Sequence, residues 1–445
     1  MKKSRFRLHP SQVVVAGFAV TIIIGTALLM LPNAKLGVGG ASFLEALFTA
    51  TSAVCVTGLI VVDTATYWTP FGQIVILLLI QIGGFGIMTF ASVIGLAVVR
   101  KMSLRSRITA ATEAKSVGLE DIKGLVLGVV GISVIVEFVV AVLLSLRFMV
   151  GYGEPVGRAL WLGVFHSVSS FNNAGFALFS DNLISFATDP FIALPICLAV
   201  ILGGLGFPVI VQLRKHLHSP LKWTMNTRIV LAGTATLLIS GTVFITAVEW
   251  SNPLTLGPMD WPSKVLVGFF QSVQARTAGF NSIDTGAMDS ASLLGTDVLM
   301  LIGGGPAGTA GGIKITTFAV LFFIMWAEIR GDGAVNVFGK RLARSVQRQA
   351  LTIVLLAVGV IVASTAALML LTDISMDRLL FETISAFGTV GLSTGITADL
   401  PAAGKVILIL LMFIGRLGPI TFASALALRE RRTMYELPKE RPIIG

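Results

Sequence analysis

Gly58, Gly175, Gly279 and Gly391 each close one of four short segments that recur along the chain: EALFTATSAVCVTGLIVVD (45–63), FHSVSSFNNAGFALFSDN (165–182), FFQSVQARTAGFNSID (269–284) and FETISAFGTVGLSTGI (381–396). A second marker follows each at near-constant spacing, led by Gly83, Gly203, Gly303 and Gly415 in QIGGFGIMTF, ILGGLGFPVI, LIGGGPAGTA and FIGRLGPITF. Two markers in register across four copies specify one supersecondary unit used four times, and such repetition sets the fold before any local reading does. Each segment has about 12–16 residues before its turn, too few to cross a bilayer and the right length for a re-entrant helix.

Around these segments lie apolar runs near 13–31, 71–99, 125–148, 191–213, 228–248, 295–327, 350–371 and 404–428. Only 13% of the 445 residues are charged, 55% are hydrophobic and the mean hydropathy is +0.89. A hydrocarbon core of about 30 Å takes about 20 apolar helical residues, so the pattern predicts an all-α polytopic membrane protein of eight spans. It is organised as four membrane–pore loop–membrane repeats in a pseudo-fourfold arrangement around one ion pore. The expected division is repeat 1 at 13–100 (pore loop 42–63), repeat 2 at 125–213 (pore loop 160–182), repeat 3 at 228–327 (pore loop 264–284) and repeat 4 at 350–428 (pore loop 378–396). The N-terminus 1–12, the loops 101–124, 214–227 and 328–349, and the tail 429–445 are expected to be cytoplasmic.

That orientation comes from charge. Most of the 33 lysines and arginines fall in these connections, including Lys2, Lys3, Arg105, Arg107, Arg214, Lys215, Lys222, Lys340, Arg341, Arg429 and Arg432. The opposite side collects Asp63, Glu154, Asp181, Asp189, Asp260, Asp284 and Asp399. By the positive-inside rule both termini are cytoplasmic. The formal charge of +10 is then a topology signal and gives no reason to expect a nucleic-acid partner. An acidic outer face concentrates cations at an entrance. Cys55 and Cys197 stand in apolar context without metal-site spacing and read as packing residues. The first span ends in MLPNAKLG, with no small-residue cleavage site, and is expected to be retained.

Four re-entrant helices aimed at one axis present the negative ends of their dipoles to it, which favours cations. A glycine turn after each lets backbone carbonyls face the axis, because glycine accepts positive φ at no steric cost, and such carbonyls replace the hydration shell of a cation. The sixth run is interrupted by GGGPAGTAGGIK, which begins at Gly303 and ends at Lys314. Each glycine costs a helix about 1 kcal/mol relative to alanine, and Pro306 removes a donor and clashes with the preceding turn. A continuous helix is therefore not expected there. Arg416 lies at the register position of Gly84, Gly204 and Gly304. A charge at membrane depth faces a cavity or a partner. Lys314 is expected to snorkel toward the cytoplasm, Arg276 to brace the outer part of the hairpin, and His166 to pack at the start of a short helix. Glu45, Glu137 and Glu382 are candidate counter-charges. No nucleophile–base or acid–base constellation is present, so the chain is not read as an enzyme.

With VTGL, NNAGF, RTAGFNS, FGTVGL, GGGPAGTAGGIK and FIGRLGP in place, the chain resembles the Ktr/Trk/HKT superfamily of potassium transporters over almost its whole length, most closely the Ktr-type membrane subunits KtrB and KtrD. The resemblance implies a potassium selectivity filter lined by carbonyls of Val56, Thr57, Gly58; Asn173, Ala174, Gly175; Thr277, Ala278, Gly279; and Thr389, Val390, Gly391. In this family a serine in the first unit accompanies sodium permeation, so Gly58 points to potassium. Only the fourth filter contains TVG, so a looser filter than that of tetrameric potassium channels is expected. The resemblance also implies an intramembrane gate made of Gly303, Gly304, Gly305, Pro306, Ala307, Gly308, Thr309, Ala310, Gly311 and Gly312, with Arg416 in a gating role. It implies uptake across the bacterial cytoplasmic membrane, with potassium as the transported ion and an influence of sodium. The implied assembly is a homodimer set in membrane lipid, with a cytoplasmic octameric ring of the KtrA or KtrC kind carrying the ATP or ADP site that this chain lacks.

The competing reading is a secondary transporter with alternating access, since broken helices serve both classes. Symmetry separates them: two related halves mark the transporter, four pore-loop units a single axial pore.

Overall fold

In the computed structural model, residues 10–100 and 119–418 are described. The expected basic clusters at Lys2–Arg7, at Lys101–Lys115 and beyond Arg429 lie outside them. The described chain is almost wholly helical. Its helices are α1 (Pro10–Leu29), α2 (Phe43–Val54), α3 (Thr64–Tyr67), α4 (Pro70–Arg100), α5 (Leu119–Tyr152), α6 (Val156–Phe171), α7 (Pro190–Leu205), α8 (Phe207–His216), α9 (Met225–Glu249), α10 (Trp261–Gln274), α11 (Ser290–Leu301), α12 (Ile315–Arg330), α13 (Arg344–Leu371), α14 (Met376–Gly388) and α15 (Ala402–Leu417). Among the described residues the strands are one antiparallel hairpin, β1 (Asn336–Val337) with β2 (Lys340–Arg341).

Each unit opens with a long apolar helix: α1, α5, α9 and α13. Between 22% and 33% of each apolar stretch is buried within the chain, and the remainder is partly or, as at Ile23, Phe138, Ile239 and Leu355, largely exposed. Exposed apolar surface on this scale marks a multi-pass membrane protein rather than a water-soluble core. Each long helix packs on the short helix of its own unit, α2, α6, α10 or α14. At 1.5 Å per residue, helices of 12 to 16 residues extend about 18–24 Å and fall short of a bilayer. Of these four, only α2 has a side-chain cap at its start. Ser42 and Glu45 form a reciprocal capping box on α2.

Setting aside the one-turn α3, the third helix of each unit packs on the short helix of the next. Thus α4 meets α6, α7 meets α10, α11 meets α14, and α15 returns to α2. The third helices are not uniform. The apolar run 191–213, which reads as one span, is broken at Gly206, and α7 and α8 meet at 98°. Gly206 has φ 90°, a conformation that ends a helix. The run 295–327 has no helix between Leu301 and Ile315. The hairpin β1–β2 packs Val337 and its neighbour Val335 into a small core with Ile229, Val320 and Ala327.

Candidate functional site

The four turns after α2, α6, α10 and α14 share one backbone pattern. Val56, Asn173, Thr277 and Thr389 have φ between 50° and 68°, and two residues on, Gly58, Gly175, Gly279 and Gly391 have φ between 67° and 97°. Positive φ at a non-glycine residue is uncommon, and here it occurs four times at one register position. The alternation of left-handed with ordinary residues turns successive carbonyls toward the same side, whereas in a regular strand they alternate. The residue before each glycine is tied back to its short helix: Thr57 N–H donates to Ser52 O at 2.8 Å, Ala174 to Ser169 O at 2.7 Å, Ala278 to Gln274 O at 3.0 Å and Val390 to Ser385 O at 2.8 Å. Ser52 and Ser385 then accept from the N–H of Gly58 and Gly391, both at 3.1 Å.

The glycines pack against one another in sequence. A methyl group on Gly58 would lie 2.4 Å from the Ala174 carbonyl oxygen, one on Gly175 2.5 Å from that of Ala278, one on Gly279 2.2 Å from that of Val390, and one on Gly391 2.1 Å from that of Thr57. All four are far inside van der Waals contact, and the order 1–2–3–4–1 closes. The side-chain hydroxyls of Thr57, Thr277 and Thr389 are buried in this region without a hydrogen-bond partner among the described residues. Unpaired buried hydroxyls are costly in a protein interior, and these three stand in the turns themselves. On one side of the glycines, a cavity of about 350 Å³ is lined by Gly58, Gly175, Gly391, Asp63 and Asp181.

On the other side lies the glycine-rich loop. Gly303 N–H donates to Ile313 O at 2.8 Å and Ile315 N–H to Gly304 O at 3.0 Å, so the loop folds back across its own base. Gly305 and Thr309 donate to the carbonyls of Gly204 and Gly203 at 2.8 and 3.1 Å, and Phe207 N–H donates to Ala307 O at 3.2 Å. The break at Gly206 makes this docking possible, since a methyl there would meet Pro306 O at 2.4 Å. The loop touches the turns directly. The Thr309 hydroxyl lies 2.9 Å from the Asn173 side-chain amide, and Gly311 abuts the hydroxyl of Thr389. In units 1, 2 and 4 the leading glycine of the second marker faces the carbonyl at the end of its own unit's short helix (Val54, Phe171, Phe387). In unit 3 Gly303 faces Gly311 O instead, so the loop takes the place of that contact.

Arg416, 3% exposed, donates through Nη1 to Thr309 O and through Nη2 to Gly83 O at 3.2 Å. It joins units 4, 3 and 1 in one clamp. No carboxylate pairs with it among the described residues. Glu137 instead accepts from Gln81 at 3.0 and 3.1 Å and from Asn172 at 3.2 Å. Glu45 serves its capping box and accepts from Tyr67 Oη at 2.7 Å, where burial and this bond raise the Tyr67 hydroxyl above its ordinary value. Glu382 accepts from Ser393 and Thr397 beyond the fourth turn.

Three expectations require correction: those for Lys314, for Arg276, and for His166 at the start of its helix. Lys314 does not reach toward solvent: half-buried, it donates to Ala310 O and, at 3.5 Å, to Gly311 O, because the folded loop leaves these carbonyls free beside it. Arg276 is not on the outer side of its hairpin. It follows the C-terminal end of α10, lines a small cavity with Gly204 and Gly304, and lies 3.4 Å from Thr234 Oγ1. His166 sits within α6, fully buried, where Nδ1 bonds Leu162 O and Nε2 accepts from Leu178 N–H at 3.3 Å. Sequence reading missed its shared purpose with Glu382. Both lie nine residues before their turn glycine and reach across to the segment that follows it.

Residues 3–432 match the sequence model of the TrkH family, described as cation transport protein. The chain belongs to this family. Among TrkH-family relatives, it is 40% identical over 425 residues to the Ktr system potassium uptake protein B of Bacillus subtilis, covering 96% of this chain and 94% of that one. It is 36% identical to the potassium/sodium uptake protein NtpJ of Enterococcus hirae, covering 100% of this chain and 99% of the relative. The crystal structure of the potassium transporter TrkH from Vibrio parahaemolyticus matches with a TM-score of 0.76 at 17% identity, over 96% of this chain and 87% of that one. This last likeness speaks to fold.

Proposed function

We propose that the chain is the potassium-translocating subunit of a Ktr-type uptake system. Potassium enters the acidic cavity bearing Asp63 and Asp181, loses water to the carbonyls of Val56–Gly58, Asn173–Gly175, Thr277–Gly279 and Thr389–Gly391, and leaves past the loop Gly303–Gly312. The single observation that carries this reading is the closed circuit of the four turn glycines, each packed on the carbonyl that precedes the next. It supports eight spans with pseudo-fourfold symmetry about one pore, and favours this over two halves rocking about a midplane site. The loop, pinned by Arg416 and pressed on Asn173 and Thr389, serves as the gate. With basic segments cytoplasmic, a membrane potential negative inside drives uptake by about 2.3 kcal/mol per charge per 100 mV. The relatives named for a Ktr system support a partner component, which we take to be the nucleotide-binding cytoplasmic ring, with the membrane subunit a homodimer. The relative named for potassium and sodium supports an influence of sodium.

Expression in a potassium-uptake-deficient bacterium tests the proposal. Rescue at low potassium by the wild-type chain, with a ring subunit supplied, is expected. No rescue, together with uptake of another solute driven by sodium or protons, would move the alternating-access reading ahead.

A further inference from the structure

The basic end of the molecule carries a pocket that ion conduction does not use. It lies between the end of α8, the turn into α9 and the tip of the β1–β2 hairpin, with a volume of about 700 Å³. His216, Lys222, Arg228 and Lys340 line it, and no acidic side chain among the described residues does. Neither ion pair among the described residues involves these four. Four cationic or proton-accepting groups around one acid-free concavity are complementary to an anion.

The walls are built. Gln212 donates to Lys222 O at 3.2 Å and accepts from Thr224 Oγ1 at 2.9 Å, Trp223 Nε1 donates to His216 O at 2.9 Å, and Arg228 Nη2 donates to Pro220 O and Leu221 O at 3.2 and 3.0 Å. Thr224 caps the 25-residue helix α9, whose positive dipole end therefore opens into the pocket. Arg228 stacks over the Phe338 ring at 5.8 Å, fixing the hairpin tip to α9.

Phe338 supplies an independent sign. It occupies the two-residue turn with Gly339, at φ 49° and 76°. Such turns need positive φ at both positions and favour Asn-Gly. A bulky aromatic in this conformation is a backbone outlier, and outliers of this kind cluster at ligand sites. Phe338 is 48% exposed, and Leu221, which lines the same pocket, is 92% exposed. The pocket is thus basic within and apolar at its rim, at the level where the apolar length of α9 begins. A soluble anion has no use for that rim, and a headgroup joined to acyl chains does.

We propose that this pocket binds the phosphate-bearing headgroup of an anionic membrane phospholipid, with Lys222, Arg228 and Lys340 on the phosphate and Phe338 and Leu221 against the glycerol and upper acyl chains. Basic pockets at membrane level suit such headgroups. The inference rests on the reading of this end as the cytoplasmic membrane surface.

Native mass spectrometry of the full-length protein in detergent tests it, with phosphatidylglycerol, phosphatidylcholine and inorganic phosphate as probes. Phosphatidylglycerol should be retained in preference to phosphatidylcholine. The double variant Lys222→Gln, Lys340→Gln, which leaves the Arg228 bonds intact, should weaken retention about tenfold. The charge-matched variant Arg341→Gln, Arg344→Gln should change it less than about twofold. Equal retention of phosphatidylcholine, displacement by equimolar inorganic phosphate, or undiminished binding in the double variant would overturn the proposal. So would a double variant that keeps the lipid and loses a soluble partner protein, because the surface would then be a protein docking site. The assay reads no ion flux, so its failure and that of the transport reading are distinguishable.

Discussion

Gly391 packs so closely on Thr57 that a methyl group at Gly391 would lie 2.1 Å from the Thr57 carbonyl oxygen, bringing the last repeat into direct contact with the first. A circuit closed in this way leaves no slack. A change at one turn displaces the carbonyl of its neighbour, and the effect is passed around the ring.

Gly175→Ala illustrates the cost. The added methyl would sit 2.5 Å from the Ala278 carbonyl oxygen, in a backbone at φ 67° that L-residues rarely adopt. Left-handed strain alone is of order 1–3 kcal/mol. Thermal unfolding in detergent should show the variant destabilised by about that amount or more, with potassium uptake reduced at matched expression.

Arg416 holds the proposed gate through Thr309 O and Gly83 O. Arg416→Gln removes the charge and most of the donors, while leaving a polar side chain in a buried site. Uptake should rise severalfold at saturating potassium, and deletion of Ala307–Gly311 should raise it further. Unchanged flux in both would remove the loop from the ion path.

Glu382 is fully buried and bonds Ser393 and Thr397 in the segment leaving the fourth turn. Glu382→Ala removes an acceptor from both hydroxyls, which keep their bond to each other at 2.9 Å, so one donor at most is left unpaired, at a cost of about 1–3 kcal/mol. The expected outcome is weaker discrimination between potassium and sodium in competition uptake, with Glu382→Gln intermediate because one acceptor oxygen remains.

Glu137 accepts from Gln81 and Asn172 where α4, α5 and the end of α6 meet. Glu137→Leu removes the acceptor of the Gln81 amide nitrogen, while Asn172 Nδ2 keeps Gln81 Oε1 and Val168 O, both at 2.9 Å, so the loss is about 1–3 kcal/mol in all. Melting temperature in detergent should fall clearly below wild type, and Glu137→Gln should lie between the two.

The repeat was legible because its two requirements, a helix too short to span and a residue free to adopt positive φ, each leave a mark in sequence. The glycines at 58, 175, 279 and 391 carry that mark, and the density of glycine after Leu301 carried the helix interruption. The break at Gly206 was not legible. Gly86 holds the same register position, yet α4 continues through it, while α7 ends at Gly206. Gly418, also at this position, ends α15 at φ 82° with no loop against it among the described residues, so the glycine permits the break and the loop at Pro306 occupies it in unit 2. Lys314 was misread for a related reason. Snorkelling is the default for a lysine near a helix end, but the loop offers free carbonyls nearer than water. His166 and Glu382 were named without their common role, because their reach to Leu178 and Thr397 depends on how each turn folds back.

Tracer uptake of rubidium into proteoliposomes, with sodium as competitor, tests the central claim most directly when wild type is compared with Gly58→Ser. A serine at φ 92° would bring its Cβ within 2.4 Å of the Ala174 carbonyl oxygen and disturb the ring of turns proposed to hold dehydrated potassium. The account predicts that excess sodium inhibits uptake by the serine variant far more strongly than uptake by the wild type. Equal sodium sensitivity in the two, at equal uptake, would contradict the assignment of these four turns as the selectivity filter.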